Sequence, residues 1–285
     1  MEGQASTNGT QLVQLARSVR TAFYKALAPL DYVLRFINQL DHYPPLHLRM
    51  HVGGVHAGFN GSGYELVAYL RLLARLQDGA RIWDIGCGCG MLELALEDLG
   101  WQGRLIGTDI HKPCIDWARK NIGARYSACE FAHMDIFNQA YWRKGRLSAR
   151  QWLDSFGEKG FDVVVAKSLF THVLPDELDT YLSGIVDRLN PGGRALLTFF
   201  ILSEAQQQLA VAGRNRLSFQ PYAADKRCSV RNPMAPTAAV AYDRQYLTDR
   251  LRVAGFKVDR LNLRPGVWTG APDGLSFQDI VVVEK

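Results

Sequence analysis

Between residues 80 and 200, short apolar runs alternate with helical patterns, and this alternation limits the fold more than any other feature of the chain. Strand-like runs lie at 80 to 85, 104 to 109, 126 to 132, 161 to 167 and 193 to 200, and helical periodicity fills 90 to 99, 112 to 121 and 176 to 189. Strands separated by helices cross over in right-handed βαβ units, which builds a mostly parallel sheet with helices on both faces. The helix at 176 to 189 is the best defined: Pro175 precedes it, Asp176, Glu177 and Asp179 occupy its first turn, and Asn190-Pro-Gly-Gly193 ends it. A further helix at 243 to 254 leads to a strand at 256 to 263, a turn at Arg264-Pro-Gly266 and a terminal strand at 279 to 284. Two strands joined without a helix pair antiparallel. The expected fold class is therefore α/β, a doubly wound, mostly parallel seven-stranded sheet with an antiparallel C-terminal edge.

The flanks divide the chain. In residues 1 to 62, Leu12, Leu15, Val19, Phe23, Leu27, Val33, Leu34, Ile37 and Leu40 recur at helical spacing around Pro29, followed by a stretch rich in glycine, histidine and proline. We read these residues as a helical cap and an approach loop. Ser62-Gly-Tyr-Glu65 fits a capping box that opens a helix over 63 to 77. Residues 63 to 285 are then the main domain, interrupted by a polar segment at 203 to 242 that we read as an inserted lid. Thirty-three basic and twenty-eight acidic side chains give a net charge of +5 over 285 residues. The basic clusters at 143 to 150 and 226 to 231 lack stacking platforms, so no nucleic-acid partner is expected. With no apolar run of membrane length and no secretory start, a soluble cytoplasmic protein with no membrane partner is expected. The five cysteines form no C-x-x-C pair and no zinc spacing with the seven histidines, which predicts reduced structural thiols and no metal. Nothing in the sequence indicates an oligomeric state.

In a doubly wound sheet a ligand sits beyond the carboxyl ends of the strands, so the first βα turn, Asp84-Ile-Gly-Cys-Gly-Cys-Gly90, is the place to look. Gly86, Gly88 and Gly90 let a ligand approach the backbone. The spacing is G-x-G-x-G, whereas a dinucleotide site wants G-x-G-x-x-G, with glycine where Met91 stands. Asp84 repels phosphate and suits a cationic ligand such as the amino-acid end of S-adenosylmethionine (SAM). Asp109 ends the next strand where a carboxylate holds ribose hydroxyls, and Ile110 or His111 follows to line an adenine. Asp135 ends the third strand, suited to accept a hydrogen bond from the adenine amino group.

In this order of motifs, DIGCGCG, TDI, the acid of HMDI, FDVVVAKSLFTHVLP and LNPGGRALLTFF, the chain resembles the class I SAM-dependent methyltransferases from about Pro44 onward. The resemblance implies a Rossmann-like fold with SAM as cofactor. It places Asp84, Gly86 and Gly88 against the methionine part, Asp109 against the ribose, and Asp135 with Ile136 against the adenine. A bacterial subgroup is similar in finer detail, with Pro44-Pro-Leu-His-Leu-Arg49, Val52-Gly-Gly54, Ser168-Leu-Phe-Thr-His172, Gly266-Val-Trp-Thr-Gly270 and Gln278-Asp-Ile280. It implies a small polar acceptor, such as a hydroxyl of a sugar or another metabolite.

Methyl transfer from a sulfonium is an in-line displacement, so the protein aligns a nucleophile and, for a hydroxyl, removes its proton. His172, just past the fourth strand, is the candidate base, with Lys167 and Ser168 positioned to orient the acceptor. His51, His56, Tyr141 and Trp268 are candidate acceptor-binding residues, Gln278 a candidate wall beside Trp268, and Phe59 a candidate contact for SAM. The stretch from Tyr141 to Arg146 reads as a solvated connecting helix or an anion site. A SAM-binding enzyme with non-methylating sulfonium chemistry, such as cyclisation, is the alternative. An RNA methyltransferase is disfavoured because AKSLFTH is not an N-P-P-Y type turn.

Overall fold

The computed structural model describes residues 19, 22–50, 58–138, 141–211 and 213–285. His51 and His56 lie outside the described residues. Seven strands form the main sheet: β1 (Arg81–Ile85), β2 (Arg104–Asp109), β3 (Cys129–His133), β4 (Phe161–Ala166), β5 (Leu189–Phe199), β10 (Lys257–Arg264) and β11 (Asp279–Glu284), in the order β10-β11-β5-β4-β1-β2-β3. β1 through β5 run parallel, and β11 pairs antiparallel with both β5 and β10. The expected class holds, including the antiparallel edge. The chain winds out from β1 to β3 and returns with β4 on the other side of β1, so the strand order reverses at the β1/β4 boundary, where such sheets open a crevice.

Both sheet faces carry a core. Trp83, Val164, Phe170, Leu182 and Phe199 pack on one side, and Leu70, Ile82, Leu94, Ile115 and Val165 on the other, all fully buried. This matches the unbroken apolar runs of strands covered on both faces. Helix α3 (Gly58–Leu72) precedes β1 and starts four residues before Ser62, the expected cap. Helices α4 (Met91–Asp98), α5 (Lys112–Ala118) and α7 (Pro175–Arg188) follow β1, β2 and β4, and α5 ends in a π turn, Arg119–Gly123.

The stretch from Tyr141 to Arg146 is not helical. It folds back through bridges from Ile136 to Leu147 and from Asn138 to Trp142. The connecting helix, α6 (Ala149–Ser155), begins later, where the Ser148 hydroxyl accepts from Gln151 N and the Gln151 side chain accepts from Ser148 N. This S-x-x-Q capping box was readable in the sequence.

At the N-terminal side, helix α1 (Ala28–Ile37) reverses the polarity expected of it. Asp31 and Arg35 are buried, while Val33, Leu34 and Ile37 remain 49 to 69 % exposed. The cause is an ion cluster: Asp31 accepts from Arg35 Nε at 3.0 Å, from Leu46 N at 3.0 Å and from Arg49 Nη2, fastening α1 to the turn α2 (Leu46–Arg49). The proline-rich P-P-x-x-L-R segment thus supplies a clamp.

The expected lid at 203 to 242 contains helix α8 (Glu204–Val211) and two short strands, β7 (Gln220–Pro221) and β8 (Ser229–Val230). With β6 (Ile201–Leu202) and β9 (Val240–Asp243) these strands make a second sheet in the order β6-β9-β8-β7. β9 leads into helix α9 (Arg244–Ala254), which Asp243 caps. The segment docks on the loop after β4, where Val240 N donates to Thr171 O at 2.8 Å and Tyr242 Oη donates to Val173 O at 2.7 Å. No helix among the described residues is long and apolar enough to cross a membrane.

Candidate active site

A cavity of about 610 Å³ opens at the carboxyl ends of β1, β2 and β4. Its wall includes Asp84, Gly86, Gly88, Asp109, Ile110 and Ile136 on one side, and Lys167, Ser168, His172 and Tyr141 on the other. Ten residues picked from the sequence are therefore brought together around one space, of a size typical of small-molecule sites.

The glycine turn is held by the neighbouring strand. Gly86 N and Cys87 N both donate to Thr108 O, at 2.7 and 3.1 Å, and Gly88 N donates to Asp109 Oδ2 at 2.9 Å. Gly86 has a φ of +82°, and a side chain there would meet no protein atom within 4 Å. Its bareness keeps cavity space open for a ligand against the backbone. Gly90 serves packing instead, because a methyl group there would collide with Ile122. Asp109 anchors both loops, since its other oxygen accepts from His111 N at 2.6 Å.

Asp84 is 4 % exposed, and its pKa is pushed up to about 7 by burial and by Asp109, with Lys167 pulling it down. A cation in the cavity relieves this cost by restoring the carboxylate. Burial lowers the pKa of Lys167, opposed by Asp84 and Glu65. An acidic, phosphate-averse turn beside open glycine backbone fits the amino-acid end of SAM and does not fit a pyrophosphate.

Beneath the turn lies Glu93, fully buried, with no hydrogen-bond partner for either carboxylate oxygen. Burial, then Asp84, raises its pKa well above the usual glutamate range. The neutral carboxyl contributes its stability below the pKa of an unfolded-chain glutamate, and that contribution is lost as pH rises through the higher folded-state value. Glu93→Gln, uncharged throughout, is expected to melt above the parent at mildly alkaline pH, with the gap closing in acid. Parallel curves of melting temperature against pH would contradict this.

The loop after β4 carries the groups that the sequence puts on the acceptor side. Ser168 has a φ of +60°, a left-handed strain of the kind that marks functional turns. Its amide donates to Thr198 Oγ1 at 2.7 Å, and its hydroxyl donates to Gln278 Oε1 at 3.1 Å, which also accepts from Thr198 Oγ1 at 2.6 Å. Gln278 lines the cavity and braces this loop. His172 Nδ1 lies 2.9 Å from Thr237 O and 3.3 Å from Tyr141 Oη. A carbonyl only accepts, so the ring proton sits on Nδ1 and the basic lone pair on Nε2.

Three sequence candidates are placed differently. Phe59 is 1 % exposed and packs edge-on against Tyr43 in the core, apart from the cavity wall. Trp268 is fully buried, its Nε1 donating to Asp279 Oδ2 at 2.8 Å, and it too is absent from the wall. Asp135 does not line the cavity either; Arg146 Nε donates to it at 2.7 Å and holds its carboxyl below the usual range. The two residues flanking it, Met134 and Ile136, supply an apolar wall instead. The sequence reading missed Glu65, Glu177 and Tyr181 on the wall. Glu177 looked like a helix-start acid, and burial raises its pKa. Only the return of α7 over the cavity distinguishes it from Asp176, which is solvated at 86 % exposure.

A family model described as a methyltransferase domain matches residues 82–193. The chain is 31% identical over 147 residues to a ribosomal protein L11 methyltransferase of Desulforapulum autotrophicum, covering 51% of this chain and 42% of that protein. It is 26% identical over 189 residues to a carboxy-S-adenosyl-L-methionine synthase of Shewanella amazonensis, covering 62% of this chain and 69% of that one. The chain thus spans less than half the length of the first of these relatives. The fold is similar to a 1,6-didemethyltoxoflavin-N1-methyltransferase of Burkholderia thailandensis crystallised with S-adenosylhomocysteine, with a TM-score of 0.50 at 17% identity, over 93% of this chain and 89% of that one. The matched segment begins in β1, contains the glycine turn and Asp109, and ends in β5. Over residues 82–193, which carry the glycine turn and Asp109, the chain is similar to a methyltransferase domain.

Proposed function

We propose that this domain methylates a hydroxyl of a small polar acceptor, with His172 as the base. The carrying observation is the Thr237 carbonyl on His172 Nδ1, which makes Nε2 the nitrogen that can accept a proton in a residue that lines the cavity. SAM, when bound, supplies an electrophilic methyl group. The turn at Gly86 and Gly88 with Asp84 receives its amino-acid part, Asp109 its ribose, and Ile110 with Ile136 its adenine. Tyr141 and Ser168 orient the acceptor, and Lys167 holds the Asp84 side of the cavity.

The wall also bears on the acceptor's charge. Among its described residues Lys167 is the only lysine or arginine, whereas Glu65 and Glu177 are carboxylates. This balance favours a neutral or cationic acceptor over a phosphorylated one, and it disfavours a polyanion such as RNA.

His172→Ala is expected to lower kcat by about a hundredfold, the scale of general-base catalysis, while leaving the affinity for S-adenosylhomocysteine within about twofold. Steady-state kinetics and calorimetry separate the two effects, and unchanged turnover would remove the base from this residue. The similarity to a carboxy-S-adenosyl-L-methionine synthase supports a second reading, in which the cofactor's sulfonium is remodelled and no methyl group is passed on.

A further inference from the structure

The cavity rim carries chemistry that methyl transfer does not use. Cys89, between the second and third glycines of the turn, places its Sγ 2.9 Å from Sγ of Cys114 in the first turn of α5. Cys114 Sγ is also 3.0 Å from His111 Nδ1. His111, Cys114 and Cys87 line the cavity, whereas Cys89 lies behind them under Leu48 of the N-terminal segment. All five cysteines are free thiols, and among the described residues no group of three His, Cys, Asp or Glu side chains could hold a metal ion. The cluster is therefore a dithiol with a histidine beside it, bordering the cofactor's own space but itself fully buried, so that peroxide reaches it as the wall around His111 opens.

We propose that Cys114 and Cys89 form a peroxide-oxidisable dithiol on the wall of the cofactor cavity, and that closing it to a disulfide lowers affinity for the cofactor.

The two sulfurs differ in character. The hydrogen bond from Cys89 holds the Cys114 thiol below its ordinary range against the opposing effect of burial, and His111 adds to the lowering. Burial pulls His111 down, but its contact with Cys114 and the charge of Asp109 outweigh this and leave it raised. Burial, then the Cys114 contact, keeps Cys89 protonated. Cys114, which borders the cavity and touches His111, is thus the attacking sulfur, and Cys89, behind it, the resolving one.

In the first step the Cys114 thiolate attacks hydrogen peroxide. An S–O bond forms, the O–O bond breaks, and the departing hydroxide takes a proton from the His111 imidazolium to leave as water. In the second step Cys89 sulfur attacks the sulfenic acid. The S–S bond forms, the S–O bond breaks, and the hydroxyl leaves as water with the Cys89 proton. Two thiols and one peroxide give one disulfide and two waters, the sulfurs losing the two electrons that the peroxide gains.

Closure acts on the turn that faces the cofactor. A disulfide requires the sulfurs to approach to about 2.0 Å, drawing Cys89 toward α5. Gly88 N is tied to one oxygen of Asp109 and His111 N to the other, so this movement strains the joint that sets the cavity wall. His111 also loses the sulfur charge beside it. Bound cofactor, in turn, covers Cys114 and slows its oxidation. The affinity effect rests on the cofactor assignment above, whereas the dithiol itself does not.

The test oxidises the purified full chain with hydrogen peroxide, maps disulfides by non-reducing peptide mass spectrometry, and titrates each form with S-adenosylhomocysteine in a calorimeter. A Cys89–Cys114 linked peptide is expected, with affinity reduced by about tenfold or more and restored by dithiothreitol. Saturation with S-adenosylhomocysteine should slow the linkage. Cys89→Ser, and Cys89→Ala should the serine destabilise the fold, is expected to stop at a Cys114 sulfenic acid that dimedone traps. Failure to find the linked peptide, linkage of other cysteine pairs instead, or unchanged affinity of the linked form would overturn the proposal. A reduced protein that binds no S-adenosylhomocysteine overturns the cofactor assignment and the affinity effect with it, while the peptide map still judges the dithiol.

Discussion

Asp109→Ala is expected to weaken S-adenosylhomocysteine binding by at least about tenfold, equivalent to about 1.4 kcal/mol. Two losses combine. The carboxylate no longer faces the cavity, and the amides of Gly88 and His111, held at 2.9 and 2.6 Å, lose their common acceptor. Hydrogen bonds to a charged group contribute about 1.5–3 kcal/mol each, so the turn itself loosens. Asp109→Asn keeps one acceptor oxygen and is expected to fall between the parent and the alanine variant. Isothermal titration of the three proteins checks the order, and equal affinities would show that Asp109 holds neither ligand nor turn.

The second large effect concerns stability. Asp279, 3 % exposed, accepts from Ile201 N at 2.7 Å, Gly266 N at 2.7 Å and Trp268 Nε1 at 2.8 Å. Asp279→Ala leaves three buried donors without a partner, at about 1–3 kcal/mol each. At about 2–4 °C per kcal/mol for a domain of this size, the melting temperature is expected to drop by at least about 6 °C. Thermal unfolding followed by circular dichroism measures it, and a drop under about 2 °C would mean that water or a moved backbone satisfies those donors.

Asp279 also shows what the sequence could and could not convey. The G-x-W-x-G and Q-D-I segments stood out as patterns, but their meaning depends on a contact between residues that no local rule links. Trp268 was read as a substrate wall, although its indole packs against Phe200 and Phe219 and is tied down by Asp279. The strands of the parallel sheet were legible because burial on both faces writes itself as continuous apolar runs. The positions of Asp84, Gly86, Gly88 and Asp109 at strand ends and in the first turn were legible because these places obey local backbone chemistry.

Elsewhere tertiary contacts overrode local pattern. The apolar spacing of α1 predicts a buried face, yet one buried carboxylate with two arginines turns the helix over. The resemblance puts an adenine partner at Asp135, but Arg146, eleven residues later, takes its carboxylate. The strained φ of Ser168 is set by Thr198 and Gln278, which are distant in sequence. His172 was identified by position alone; the Thr237 carbonyl that fixes its tautomer comes from the inserted segment, which the sequence marked only as polar.

The most direct test of the proposed function follows the methyl group. The purified chain is incubated with SAM carrying an isotopically labelled methyl and with small hydroxylated acceptors, alongside RNA and protein fractions, and the products are read by mass spectrometry. Labelled methyl is expected on a small hydroxylated acceptor, and is expected to be lost in His172→Ala and Asp109→Ala. Label found only on RNA or protein, or cofactor converted to a product with no label transferred to any acceptor, would contradict the proposed function.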